Sequence, residues 1–532
     1  MEKLSVLLSL IFIYYGFFLD KSSAVKVYST TVFHNCEFHK LCGRKKYAFH
    51  LLSKTNSNEG SVSGPHIPRN EISIFSCISL IAGTTIGGGF LALPAVTAPV
   101  GAFPACVCLI VCWAYLTGCA LSLSSVIFQL SASSGTSNNG EKNNCDESIS
   151  EGHNLEADIE FSIFRVAKRT FGNTAGAVAA GLYVVLMLST LVAQLSKIGN
   201  ISSIWGSSSR LLGISLFSGL MYAIAFVRDD LQIAEQANSV LTAVMLASFS
   251  AIISAAPLSG MDLRRWQRAD FAPLLLLHGS SRSGGISGQP WAVPVFLQLL
   301  VYTEVVPVVC ARLRDEKKVR KAIIIGATIP LLMCIVWTLV AVGLTPINTA
   351  AMTMMDDPID SMMRSVQQFT TGATASSSLL RYAPLVLSNS VTVFALSAIS
   401  TTVIGSLLTV SQFLVDIMSE LMAVKSSTNS NTNTSAAALH SRVPDKKTVA
   451  IARVLSILCP AAIVAVGSKS LYYAATAFAG AFPVTLLWGL LPTAASLKLR
   501  ARSRTERSSI LDKLLCIVSI LMLIINFRLM LP

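Results

Sequence analysis

Charged side chains are scarce. Asp, Glu, Lys and Arg make up 13% of the 532 residues, about half of the ~25% usual in soluble domains, which excludes an ordinary water-soluble fold. The twelve cysteines include no Cys-x-x-Cys pair, and those that cluster at Cys106, Cys108, Cys112 and Cys119 have no histidine nearby, which argues against a zinc site. Nor do they form a disulfide framework. Cys106, Cys108, Cys112 and Cys119 share one apolar run, where free cysteine packs as a small hydrophobe. No glycine-rich loop is followed by Lys-Ser/Thr, so the chain carries no ATP-binding motif. Acidic residues number 28 against 41 basic ones, for a net charge of +13. The basic residues sit in short loops between apolar runs, the pattern of topology signals rather than of a nucleic-acid face. An integral membrane enzyme would need several His, Asp or Glu at one depth, and the apolar runs offer almost no ionisable group beyond Glu304, Lys197 and Asp416. No metal site or cofactor is implied.

What the chain has instead is apolar length. Hydrophobic residues make up 52% and the mean hydropathy is +0.62. A bilayer crossing needs about 20 apolar residues. Eleven runs of that order follow one another, near 72–98, 101–129, 174–198, 211–228, 238–257, 291–311, 321–345, 385–420, 449–467, 470–497 and 510–530. The polar loop 131–158 and the Asn/Ser/Thr tract 426–437 are solvated connections, and 346–384 reads as an extramembrane loop with some short helix. The expected fold is therefore all-α and membrane-integral, with about 11 transmembrane helices across residues 71–532.

Upstream, the apolar block Leu4–Leu19 is followed by the small residues Ser22, Ser23 and Ala24. Residues 1–24 read as a signal peptide, with an uncleaved anchor helix as the alternative. Residues 25–70 are basic, poor in acid and rich in Ser, Thr and Asn. Together the two segments look like the two-part presequence of a plastid protein, which makes the plastid envelope the expected membrane. Secretory-pathway entry with a disordered tail at 25–70, leading to another endomembrane or the plasma membrane, is the other reading.

One stretch stands apart inside the first apolar run. Gly83, Thr84, Thr85, Ile86, Gly87, Gly88 and Gly89 follow one another at its centre. Glycine costs roughly 1 kcal/mol per interior helix position, so this segment is expected to be helical at both ends and unwound in the middle. Unwound backbone at membrane depth survives only where it is buried in protein or lines a cavity. The N–H groups that open the second half-helix form a positive dipole end able to hold a carboxylate. The alternative is a small-xxx-small packing face formed by Gly83 and Gly87.

The run from Gly83 to Pro94 resembles the first transmembrane helix of the aromatic amino acid permeases, the tyrosine- and tryptophan-specific transporters and their plant-type relatives. The likeness extends to Ala167–Gly172, to Trp291–Arg312 and, more weakly, through Ala398–Asp416 to the C-terminus. It implies the architecture of the amino acid–polyamine–cation transporters: a five-plus-five inverted repeat, an eleventh helix, and broken helices one and six that meet at the midplane. It also implies a secondary transporter of an aromatic amino acid, coupled to protons. A carrier of another small amino acid or amine on the same fold is the runner-up.

The sixth run gives a check on this. It reads Val301-Tyr302-Thr303-Glu304-Val305-Val306-Pro307, and a proline inside a helix removes a hydrogen bond and clashes with the preceding turn. A break near Tyr302, Thr303 and Glu304 is expected, where the bacterial permeases carry a Phe-His-Gly type sequence. An ionisable residue within a span is costly and retained mainly for function, so Glu304 is the candidate to accept the substrate ammonium or carry the coupling proton. Its bland alternative is a structural carboxylate on the freed backbone N–H groups. Tyr183 and Gln194 in the third run, and Ser400, Thr401 and Thr402 in the eighth, are secondary candidates, although Ser/Thr back-bonding to the helix is the commoner role. Tyr472 and Tyr473 open the tenth run as interfacial belt residues would.

Overall fold

A computed structural model of the protein describes residues 74–98, 100–136, 163–203, 209–226, 231–259, 261–267, 292–344, 378–429, 446–467, 471–503 and 509–530; no strand occurs among them. The expected presequence, residues 1–70, lies outside the described residues.

The first segment consists of α1 (Ile74–Thr85), a 3₁₀ turn over Gly88–Ala92, and α2 (Leu93–Thr97). Next come α3 (Ala102–Thr136), the short amphipathic α4 (Ile163–Phe171), α5 (Asn173–Ser203), α6 (Ser209–Phe226) and α7 (Leu231–Ala255). The sixth segment is again interrupted: α8 (Ala292–Leu299), a 3₁₀ turn over Thr303–Val305, and α9 (Val306–Leu313). It is followed by α10 (Glu316–Leu344), α11 (Ser378–Asn429), α12 (Lys446–Val466) and α13 (Leu471–Ala479). α13 runs through a π-helical stretch, Gly480–Leu490, into α14 (Leu491–Ser503), and α15 (Ser509–Met530) closes the chain. Among the described residues, nine helices are long and apolar enough to cross a membrane. The first segment makes a tenth, bent by 41° at its break, and Arg210–Phe226 is a shorter apolar helix. The eighth segment starts earlier than its hydropathy indicates, because residues 378–384 extend α11 rather than belong to the preceding loop.

The surface is apolar where a soluble protein would be polar. Leu511, Leu514, Ile517, Leu521, Ile524 and Phe527 form an exposed stripe along α15, as a lipid-facing helix requires. Inside, α11 packs along α7 and α5, and α10 packs against α1 and α3. The broken first and sixth segments are enclosed by these helices.

The two breaks share a construction. Each has an α-helix, a non-helical residue (Gly87 or Tyr302), a 3₁₀ turn, and a proline in the first turn of the following helix. Pro307 therefore does not kink a helix from within, as the sequence suggests. It starts one, where its missing N–H costs nothing. Tyr302 (φ −143°, ψ 0°) is the residue that leaves helical geometry.

The π-helical stretch also has local causes. Pro483 cannot donate to the helical ladder, Thr485 Oγ1 donates to the Gly480 carbonyl (2.9 Å), and Asn526 Nδ2 donates to the Ala481 carbonyl (2.9 Å). A side chain at Gly480 would overlap the carbonyl of Pro294. Glycine there lets the tenth segment lie directly against the backbone of α8.

Candidate functional site

A cavity of about 210 Å³ lies between the two breaks, below the roughly 300–1,000 Å³ of drug-sized pockets and suited to one small solute. The whole glycine stretch lines it: Gly83, Thr84, Thr85, Ile86, Gly87, Gly88 and Gly89. Gln298, Leu299, Val301 and Glu304 line it from the sixth segment. Tyr183, Leu186, Met187, Thr190, Ala193 and Gln194 on α5 recur at spacings of three and four and form one continuous helix face. Thr401, Thr402, Gly405, Ser406 and Thr409 give α11 a small, hydroxyl-rich wall, and α7 adds Asn238 and Thr242.

At the first break the threonines turn back on their own helix. Thr84 Oγ1 donates to the carbonyls of Leu80 (3.0 Å) and Ile81 (3.1 Å), and Thr85 Oγ1 to that of Ile81 (2.7 Å). The unwound peptides are held by distant helices. Gly88 N–H donates to Thr402 Oγ1 (3.0 Å), Tyr472 Oη–H donates to the Gly88 carbonyl (2.9 Å), and Trp337 Nε1–H donates to the Phe90 carbonyl (2.9 Å). Phe90 N–H returns to the Gly87 carbonyl (3.1 Å). Among the described residues, the N–H groups of Gly87 and Gly89 have no hydrogen-bond partner. Gly87 is extended (φ −160°, ψ −168°), a conformation open to any residue, so glycine is required here for room. A Cβ on Gly87 would stand 2.6 Å from Thr402 Oγ1, and one on Gly88 would overlap the Gln194 amide. A Cβ on Gly83 would meet nothing within 4 Å, so Gly83 and Gly87 do not form a packing face.

At the second break Glu304 is half-buried in the cavity wall, which it shares with Tyr183. Among the described residues it forms no ion pair. Tyr183 is set edge-on between Phe164 (5.5 Å between centroids) and Trp488 (6.4 Å), which fixes its ring beside the cavity. Gln298 Nε2 donates to Thr190 Oγ1 (3.3 Å), while its Oε1 is buried without a partner. Gln194, 3% exposed, likewise has a buried Oε1 without a partner.

Three expected residues stand back from the cavity. Tyr302 is buried and its hydroxyl donates to Thr117 Oγ1 (3.1 Å) on α3; Thr303 and Ser400 are buried and do not line the cavity. Thr401 lines it with Thr402, and both hydroxyls donate to the Ala398 carbonyl (3.0 and 2.9 Å). Tyr472 departs from the belt role read from sequence. It is fully buried, supports Gly88, and has Lys197 Nζ 5.3 Å from its ring centroid. The side chain of Asp416 lies outside the described residues. Sequence reasoning missed Gln298, Thr190, Asn238 and Thr242; extending the Tyr183 face by helical spacing would have found Thr190.

The profile of the Tryptophan/tyrosine permease family matches residues 70–143 and 149–531. A search among curated proteins found no match. Similar solved structures include a variant of the Eremococcus coleocola manganese transporter (11% identity, 87% of this chain and 88% of that one, TM-score 0.49). Another is MHP1, a nucleobase-cation-symport-1 family transporter with bromovinylhydantoin bound (13% identity, 86% and 91%, TM-score 0.44).

Proposed function

The chain belongs to the tryptophan/tyrosine permease family, and from that premise we propose that it carries aromatic amino acids, tyrosine or tryptophan, in symport with protons. At the coarser level it is a multi-pass membrane transporter of amino acids and not an enzyme. The finer reading is supported chiefly by the opposite polarity of the two breaks around one cavity. The first offers the N–H groups of Gly87 and Gly89 and the positive end of a half-helix, which suit a carboxylate. The second offers the carboxylate of Glu304, which suits an ammonium. A zwitterion bridges the two, and its ring lies along Tyr183, Leu186 and Met187.

In this mechanism Glu304 has both charges to serve. Ionised, it receives the substrate ammonium; protonated, it carries the coupling proton through the membrane. Thr84, Thr85 and Thr401 shape the walls, Tyr302 and Thr303 form the second break, and Ser400 stands behind the wall beside Thr401. The shared construction of the first and sixth segments supports a five-plus-five repeat, with the site at the repeat interface. The direct test is uptake of labelled tryptophan and tyrosine by proteoliposomes with and without an imposed proton gradient. Accumulation that ignores the gradient would refute symport, and failure to take up either amino acid would refute the substrate class.

The membrane proposed is the plastid envelope, on the composition of residues 1–70. A fluorescent protein fused to those residues should reach the plastid, and signal in the plasma membrane would overturn the placement.

A further inference from the structure

Gln298 lies in the last turn of α8, just before the sixth segment leaves helical geometry, and lines the cavity. Its partner fixes the orientation of its amide. Thr190 Oγ1 commits its single proton to the Leu186 carbonyl (2.9 Å), so toward Gln298 it can only accept. The amide nitrogen therefore faces Thr190 (3.3 Å), and the amide oxygen is the atom left buried and without a partner. A buried acceptor in that state costs free energy until something donates to it.

Glu304, which lines the cavity with Tyr183, is the other acceptor on the sixth segment. Tyr183 and Thr190 are seven residues apart on α5, two turns along the same face. These two positions on α5 stand roughly 10 Å apart along the helix axis. A ligand that satisfies both acceptors must carry two hydrogen-bond donors set well apart along its length. Serine and alanine are too short to place a second donor there. An amino acid with an N–H or O–H on its ring is long enough, whereas phenylalanine supplies the ring without the donor.

We infer that Gln298 is a specificity-determining residue: its amide oxygen accepts a hydrogen bond from the polar atom of the substrate's ring and selects tryptophan or tyrosine against phenylalanine. The inference rests on the aromatic amino acid reading above. A site built to receive a donor rejects the analogue that lacks it, because the analogue leaves the acceptor buried and dry. Gln194 is not equivalent. Among the described residues no partner orients its amide, and it abuts Gly88 at the backbone end of the cavity.

The test is competition against labelled tryptophan in proteoliposomes. The competitors are tyrosine, phenylalanine and the benzothienyl analogue of tryptophan, in which sulfur replaces the ring N–H at nearly unchanged shape. The wild type should prefer tryptophan to the benzothienyl analogue by about ten- to a hundredfold. Gln298→Leu should lose most of that preference while still binding both. Thr190→Val, which frees the amide to turn, should reduce it partway. Equal affinity for the two in the wild type would overturn the assignment. So would an unchanged preference in Gln298→Leu or, should that variant fail to reach the membrane, in Thr190→Val. Uptake of aromatic amino acids without any preference for the ring donor sinks this inference alone. Absence of saturable uptake of any aromatic amino acid sinks the proposed function with it.

Discussion

Where the first segment unwinds, at Ile86–Gly88, three other helices take up the freed peptide groups: Thr402 from α11, Tyr472 from α13 and Trp337 from α10. Where the sixth segment unwinds, at Leu300–Tyr302, no side chain from another helix holds a freed peptide group among the described residues. Leu300 N–H reaches the Phe296 carbonyl (3.1 Å) and Val305 N–H the Tyr302 carbonyl (3.0 Å). The first break spends its side chains on nothing, being glycine, and presents backbone. The second also leaves the Val301, Tyr302 and Thr303 N–H groups without a partner among the described residues, but it presents to the cavity the side chains of Gln298 and Glu304. A break made of glycine exposes N–H donors held in place by neighbouring helices, and a break that keeps its side chains carries acceptors. The pair together matches the two ends of an amino acid.

This contrast is most easily broken at Glu304. Glu304→Gln preserves the shape and one acceptor but removes the charge. A hydrogen bond to a charged group contributes about 1.5–3 kcal/mol, so substrate affinity should fall by about ten- to a hundredfold. Gradient-driven accumulation should fall further, while exchange of preloaded substrate is better preserved. Unchanged accumulation at equal expression would reduce Glu304 to a structural residue.

The first break should fail through space rather than charge. In Gly88→Ala the added methyl overlaps the Gln194 amide, and overpacking typically costs about 1–3 kcal/mol. The end of a side chain can shift aside, so the protein should still fold, but Gln194 must then move into the cavity. Transport should drop severalfold or more while thermal stability in detergent changes little. A variant that loses stability yet transports normally once folded would move the binding site away from this break.

The halves of this comparison were not equally legible in the sequence. Four glycines in one apolar run mark the first break by helix propensity alone. The second break shows as a proline in an apolar run, yet Pro307 only starts the next helix and Tyr302 is where the chain leaves helical geometry. Burial of a single acid points to Glu304, whereas Gln298 in an apolar run carries no local mark. Its importance comes from Thr190, 108 residues away. Tyr472 was misleading for the same reason. A Tyr-Tyr pair at the start of a span reads as a belt, and its partner Gly88 is 384 residues distant. Propensity and hydropathy are local quantities, whereas support of an unwound peptide comes from distant parts of the chain.

That support can be measured by removing one donor. Tyr472→Phe leaves the Gly88 carbonyl buried without its hydroxyl partner, at a cost of about 1–3 kcal/mol. The ring is kept, and with it the contact with Lys197. Thermal stability should fall and substrate affinity should weaken modestly, because the neighbouring N–H groups lose their fixed aim. The matching change at the second break, Tyr302→Phe, removes a bond to Thr117 outside the cavity and should lower stability without altering affinity. Equal affinity losses in both variants would mean that the two breaks are supported alike.

The smallest expected effect is at Gly83, and it separates the two readings of the glycine stretch. Gly83 lies within α1, two residues before the helix ends, and a Cβ there would meet no atom within 4 Å. Alanine gains about 1 kcal/mol of helix propensity over glycine at an interior position. If the glycines formed a packing face, Gly83→Ala would push two helices apart and destabilise the protein. With the space beside Gly83 open and the unwinding confined to Ile86–Gly88, the substitution should instead leave stability unchanged or slightly raised. Gly83 does line the cavity, so the new methyl takes a little of its volume, and tryptophan uptake should change by no more than about twofold. Measuring melting temperature and uptake together on Gly83→Ala and Gly88→Ala gives the sharpest form of the contrast. One glycine is dispensable because the helix still runs past it. The other is required because another helix's side chain already fills the place of its missing Cβ.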